Sequence, residues 1–251
     1  MKAEKKFIML LIAFGLFISL PFQTFASESK ENELHYVALG DSLAAGQTPY
    51  GGFDTGYTDF IASYFDGLRY DVSYHNFGVS GYTSHHLRFD VQANPTVREE
   101  IKEADVLTIN IGANDLLGTL RTDPTRVNEA IAAVSTNLNI ILTEINVLNP
   151  TVDVYVMGYY NPFPYYPQQQ QAALVPLLTA LNLQIETRAK VNSDHYVPTA
   201  EVINKNYKKF LPNPNDIHLS VRGYQVIANE FWKEISKNQA KYKKKRFSVI
   251  R

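Results

Sequence analysis

Cysteine is absent from the 251 residues, which excludes a disulfide framework and thiol chemistry and leaves stability to packing. Neither sign of charge is in excess: 24 Lys and Arg stand against 25 Asp and Glu, a formal net charge of −1. Such a balance offers no broad basic surface for nucleic acid, so none is expected as a partner. Histidine is sparse, six in all, and forms no His-x-His or Glu-x-x-His pair. Neither a metal site nor another cofactor is expected. After the first twenty residues no second apolar span is read.

What is present begins with a leader. Lys2, Lys5 and Lys6 precede a continuous apolar run from Phe7 to Leu20, and Thr24-Phe25-Ala26 offers a small-residue cleavage site before Ser27. Residues 1–26 therefore read as a signal peptide. The run is short of the roughly 20 residues that a membrane span prefers, which disfavours an uncleaved anchor. A secreted or envelope-associated location follows as an expectation. The remainder suits one domain over residues 27–236. Residues 237–251 carry seven Lys and Arg and no acid, on a body of net negative charge. This tail is expected either to be a solvated chain end or to touch an anionic envelope or membrane surface weakly, by salt-screened attraction.

Short β-branched or aromatic runs alternate with stretches of helical period. His35–Leu39, Asp71–His75, Asp105–Ile111 and Asp153–Met157 read as strands. Tyr57–Phe65, Val127–Leu148, Leu174–Val191 and Val221–Ile235 repeat apolar residues three and four apart and read as helices. Ser220 is placed to cap the last of them. Alternation of this kind predicts an α/β fold with a parallel sheet and helices on both faces. In the order 2-1-3-4-5 the first and third strands flank the switch point, where ligands bind.

Four segments at strand ends carry candidate chemistry: Gly40-Asp41-Ser42-Leu43, Asn76-Phe77-Gly78-Val79-Ser80-Gly81, Gly112-Ala113-Asn114-Asp115 and Asp216-Ile217-His218. A serine hydroxyl needs an imidazole to take its proton, and the resulting oxyanion needs donors already aimed at it. Ser42 is the candidate nucleophile. Gly81, or Gly78, offers a backbone N–H that can approach a ligand closely. Asn114 offers a neutral side-chain donor. Among the histidines His218 alone lies in a polar loop before a helix, with Asp216 and Asn215 as candidates to orient its ring. His35 and His75 fall on strand patterns, and His85, His86 and His195 read as surface positions. The plainer reading makes Asp41, Ser42, Asn114 or Asp115 helix caps and the glycines ordinary turn residues.

In this order and at these separations the four segments resemble the GDSL family of lipases and esterases, also called SGNH hydrolases, from His35 to Ile235. The resemblance implies a flavodoxin-like three-layer α/β/α sandwich and a carboxylic-ester hydrolase. It implies Ser42 as nucleophile, His218 as general base, and the Ser42 N–H, the Gly81 N–H and the Asn114 side chain as the oxyanion hole. It departs in two places. The family's aspartate three residues before the histidine is here Asn215, and the proline after the histidine is Leu219. Asp216, two residues before His218, is favoured as the orienting group because its charge better offsets an imidazolium.

The expected substrate is a small-molecule or lipid ester. An esterase removing acetyl groups from polysaccharide, an acyltransferase and a non-catalytic envelope-binding module are the rivals. The aromatic loop Tyr159–Pro167, with Tyr160, Phe163, Tyr165 and Tyr166, is expected either to line the crevice or to pack on itself.

Overall fold

The computed structural model describes residues 32–238 and Tyr242. Residues 1–26, expected to be a signal peptide, lie outside the described residues, as does the tail apart from Lys237, Asn238 and Tyr242.

The most apolar runs become the centre of a sheet. In β1 (Glu33–Gly40) the last five residues are buried, and β3 (Val106–Asn110) is buried throughout. β4 (Asp153–Met157) is buried from its second residue on. A strand covered on both faces has no polar face to alternate with, so it reads as an unbroken apolar run. β2 (Asp71–Gly78) is half exposed along its length, as an edge strand must be. β5 (His195–Val197) forms the other edge. All neighbours pair in parallel, in the order β2-β1-β3-β4-β5.

The connections carry α1 (Tyr57–Gly67), α2 (Ser84–Ala93), α3 (Pro95–Glu103), α4 (Ala113–Thr122), α5 (Val127–Leu148), α6 (Gln168–Val191), α7 (Ala200–Asn204), α8 (Tyr207–Phe210) and α9 (Val221–Lys237). α1 packs on α9, while α2, α5 and α6 pack side by side. These two groups are the outer layers of the α/β/α sandwich. α5 is long and apolar enough, with the turn before it, to pass for a membrane span on length and composition alone. This corrects the reading that no second apolar span follows the leader. Its Ile131, Val134, Leu138, Ile141, Leu142 and Ile145 are buried in the domain core, which accounts for its apolar character.

Five helices and strands differ from the sequence expectation. β5 has only three residues, too few to show a period. α2 and α3 are rich in His, Arg, Asp and Glu and bury only two or three side chains each. α4 starts inside the motif Gly112–Asp115 that reads as a turn. α6 begins at Gln168, ahead of its apolar stripe. His195, expected at the surface, is half-buried on the edge strand β5, stacked on Tyr155 with ring centroids 4.7 Å apart. Tyr242 of the tail is buried and donates to Asp153 at 2.6 Å, so at this residue the tail is docked rather than frayed.

Ser220 caps α9, its Oγ accepting from the Gly223 N–H at 3.3 Å. Leu219, in the place of the family's proline, is wholly buried and touches the Gly223 position.

Candidate active site

Ser42 follows β1 and Asn114 follows β3, two strands that lie side by side with Gly40 opposite Asn110. The chain leaves them in opposite directions, toward β2 and toward β4, and a crevice opens between the diverging connections. His218 comes from the loop before α9. Its Nε2 lies 2.8 Å from Ser42 Oγ, across 176 residues of sequence. Its Nδ1 lies 2.7 Å from Asp216 Oδ1, which also accepts the His218 backbone N–H at 2.7 Å. A carboxylate only accepts, so Nδ1 carries the ring proton and Nε2 is left to accept from the serine hydroxyl. Ser42 and His218 are each 8% exposed, reachable from one side only.

Asn215 is exposed, and its backbone N–H is tied to Asn213 Oδ1 at 3.1 Å. Asn213 in turn donates to the Pro49 carbonyl at 2.7 Å, and its own carbonyl takes the Asp216 N–H at 3.2 Å. These bonds shape the loop so that Asp216, and not Asn215, faces the imidazole.

Neither Asp41 nor Ser42 caps a helix, because residues 42–46 form a turn and α1 starts only at Tyr57. Asp41 is buried and accepts from the Leu43 N–H at 2.9 Å, the Asn110 amide at 2.5 Å and the Tyr159 hydroxyl at 2.6 Å. Asn110 Oδ1 receives the Tyr57 hydroxyl at 2.8 Å. Desolvation pushes the Asp41 carboxyl up to about 6, against the pull of the hydrogen bonds from Tyr159, Leu43 and Asn110. Gly40 permits this arrangement, since a Cβ there would stand 2.5 Å from both oxygens of Asn110.

Gly81 adopts φ +83 and lines the crevice, a conformation that favours glycine. Neither its N–H nor that of Ser42 has an acceptor among the described residues. The Gly78 N–H, by contrast, donates to Asn76 Oδ1 at 2.9 Å. Ser80 Oγ, beside Gly81, donates to Gln47 Oε1 at 2.6 Å and ties this turn to the one after Ser42. Asn114 places one amide hydrogen on the Tyr82 carbonyl at 2.8 Å; its second remains for a ligand. Asp115 does serve a helix end, but that of α2: its carboxylate takes the Ser84 N–H at 2.8 Å and the Ser84 hydroxyl at 2.6 Å. Burial raises its pKa.

The aromatic loop divides. Tyr159 and Tyr160 are buried and point inward, the second donating to the Ile217 carbonyl at 2.7 Å. Tyr165 binds the Leu211 carbonyl at 2.8 Å, while Phe163 and Tyr166 line the crevice. Sequence reasoning passed over Asp41 and Asn110 as functional side chains and took Tyr159 only as one ring of the aromatic loop. A signal existed for Asn110, the one amide ending a strand of otherwise apolar or β-branched residues. Among the described residues no group of three or more His, Asp or Glu comes together to hold a metal ion.

A serine, an imidazole, a carboxylate and three N–H donors around one crevice can carry out acyl transfer. The family model described as GDSL-like lipase/acylhydrolase matches residues 38–226. The spore germination lipase LipC of Bacillus licheniformis is 26% identical over 207 residues, covering 78% of this chain and 94% of that protein. The crystal structure of the lipase Lip_vut3 from a goat rumen metagenome superimposes with a TM-score of 0.69 at 26% identity, over 80% of this chain and 96% of that one. Axe2, an acetylxylan esterase of Geobacillus stearothermophilus, shares the fold with a TM-score of 0.62 at 18% identity, over 80% and 94% of the two chains.

Proposed function

As the chain belongs to the GDSL-like lipase/acylhydrolase family and is a carboxylic-ester hydrolase, we propose that it works through an acyl-enzyme on Ser42. The observation that carries this reading is the 2.8 Å approach of His218 Nε2 to Ser42 Oγ, with Asp216 on the far side of the ring. Ser42 Oγ attacks the ester carbonyl carbon while Nε2 takes the hydroxyl proton. The carbonyl oxygen, now negative, is met by the N–H groups of Ser42 and Gly81 and by the free amide hydrogen of Asn114. His218 then returns the proton to the leaving alkoxide oxygen, the C–O bond breaks, and the acyl group stays on Ser42. A water attacks next, giving its proton to Nε2, and the same proton restores the Ser42 hydroxyl as the acid departs. Asp216 holds the tautomer throughout and offsets the imidazolium.

The substrate in this reading is a simple or lipid ester, in line with the lipases among the relatives. Removal of acetyl groups from polysaccharide is the second reading, favoured by the shared fold of the acetylxylan esterase. We also propose that residues 1–26 direct export and are removed, leaving Ser27 as the first residue. N-terminal sequencing of the protein from culture medium checks this, and an intact leader on exported protein contradicts it.

Ser42→Ala tests the mechanism. The purified variant is expected to keep its circular dichroism spectrum, to lose turnover of a chromogenic ester and to escape labelling by a fluorophosphonate. Turnover equal to that of the parent removes Ser42 from the chemistry.

A further inference from the structure

Two recesses meet at Ser42, and both have Asn114 on their rim. The wide one, about 630 Å³, carries Gln47, Gly81, Arg121 and His218. The narrow one, about 40 Å³, runs between α4 and α6. α4 contributes Leu116, Leu117 and Leu120 to its wall, and α6 contributes Leu174, Leu178 and Leu181. The second set is spaced four and three residues apart, one stripe of a helix. Leu116, Leu178 and Leu181 line the narrow recess alone, and Leu117, Leu120 and Leu174 are shared with the wide one. The one acid of the narrow recess is the buried Asp41 beside Ser42, whereas the wide recess presents an imidazole, a guanidinium, the Asp216 carboxylate and the amides of Gln47, Asn114 and Asn215.

An ester is a planar group with two arms, and its reacting carbon must sit at Ser42 with its oxygen toward Asn114. The arms then point into different recesses. His218 decides which arm goes where, because the leaving alkoxide oxygen receives its proton from Nε2, and His218 lines the wide recess only. The alcohol arm therefore lies in the wide recess, among its amides and charged groups, and the acyl arm between α4 and α6. Resting on the acyl-enzyme reading above, we propose that the leucine-walled recess between α4 and α6 is the acyl-binding pocket, and that it selects short acyl groups on large polar alcohols. At roughly 10–15 Å³ for each water-sized position, 40 Å³ holds about three such positions. A butyryl chain fills it, and a long fatty chain does not.

The test measures kcat/KM of the full mature enzyme on p-nitrophenyl esters of two, four, eight, twelve and sixteen carbons, and on butyrate esters of methanol and of a hexose. The parent enzyme is expected to peak at four carbons or fewer, to fall at least tenfold by eight, and to accept the hexose ester. Leu178→Phe, which fills the pocket, is expected to lower the butyrate-to-acetate ratio at least tenfold. Leu178→Ala, which widens the pocket at a position lining the narrow recess and not the wide one, is expected to move the peak to longer chains. Both should leave the methyl-to-hexose ratio within about twofold. A parent enzyme that prefers twelve or sixteen carbons overturns the proposal, and so do variants that change the alcohol ratio and leave the chain-length order as it was. An enzyme that hydrolyses none of the esters and does not react with a fluorophosphonate overturns the acyl-enzyme reading itself, and the pocket assignment with it.

Discussion

Tyr159 donates its hydroxyl to the Asp41 carboxylate at 2.6 Å, joining the loop after β4 to the turn that carries Ser42. The carboxylate passes the constraint on through the Leu43 N–H at 2.9 Å. The peptide following Ser42 is thereby held from both sides. Asp41 thus fixes the backbone that presents the nucleophile, although it lies behind Ser42 and outside the wide crevice.

Burial has a pH consequence at Asp41. The folded protein raises this carboxyl from 3.8 to about 6, so the group favours the folded state fully below about pH 4 and that contribution is lost as pH rises through about 6. A displacement of about two in pKa corresponds to about 3 kcal/mol. Asp41→Asn cannot ionise, so its stability relative to the parent should improve by up to about 3 kcal/mol between pH 4 and pH 7, read by urea denaturation at each pH. Tyr159→Phe removes a hydrogen bond that holds the pKa down and should carry the parent's transition to higher pH. A pH-independent difference between Asp41→Asn and the parent would falsify this account.

Asp216 and Asn215 make a second comparison. With Asp216 Oδ1 at 2.7 Å from the ring and Asn215 exposed, Asp216→Ala should reduce kcat by between about 10² and 10⁴, since the ring loses both its tautomer and its charge partner. Asn215→Ala should stay within about twofold. Steady-state kinetics on a short-chain ester measure both, and a loss confined to Asn215→Ala would give the orienting role to the amide.

Asn114→Ala removes a donor aimed at the oxyanion. The expected loss in kcat is about 10² to 10³ with KM within a few-fold, because such a donor acts on the charge that appears in the transition state. The same substitution frees the Tyr82 carbonyl, so the melting temperature is followed alongside. A raised KM at unchanged kcat would make Asn114 a ground-state binding residue instead.

The central strands were legible because each encodes its own burial: a short β-branched run ending in glycine says that the chain is covered on both faces and then turns. The long helices α5 and α9 declared themselves by spacing in the same way, and α5 begins and ends where its pattern does. β5, with three residues, and the polar helices α2 and α3 carry too few apolar positions to repeat. They form because the neighbouring strand or layer offers them partners, which their own residues do not record.

The candidate site divides along the same line. The chain on its own named a serine, two glycines, an asparagine and a histidine at element ends, because each belongs to a short run whose chemistry is local. What it left open was the choice between adjacent residues and the meeting of distant ones. Asp216 turns to the ring, and Asn215 away from it, because Asn213 anchors the loop to Pro49. Tyr159 reaches Asp41 across 118 positions because β4 lies two strands from β1 and its following loop folds back over the crevice. Periodicity is a property of neighbours in sequence. A hydrogen bond between remote side chains depends on strand order and loop shape, and only the folded sheet determines those.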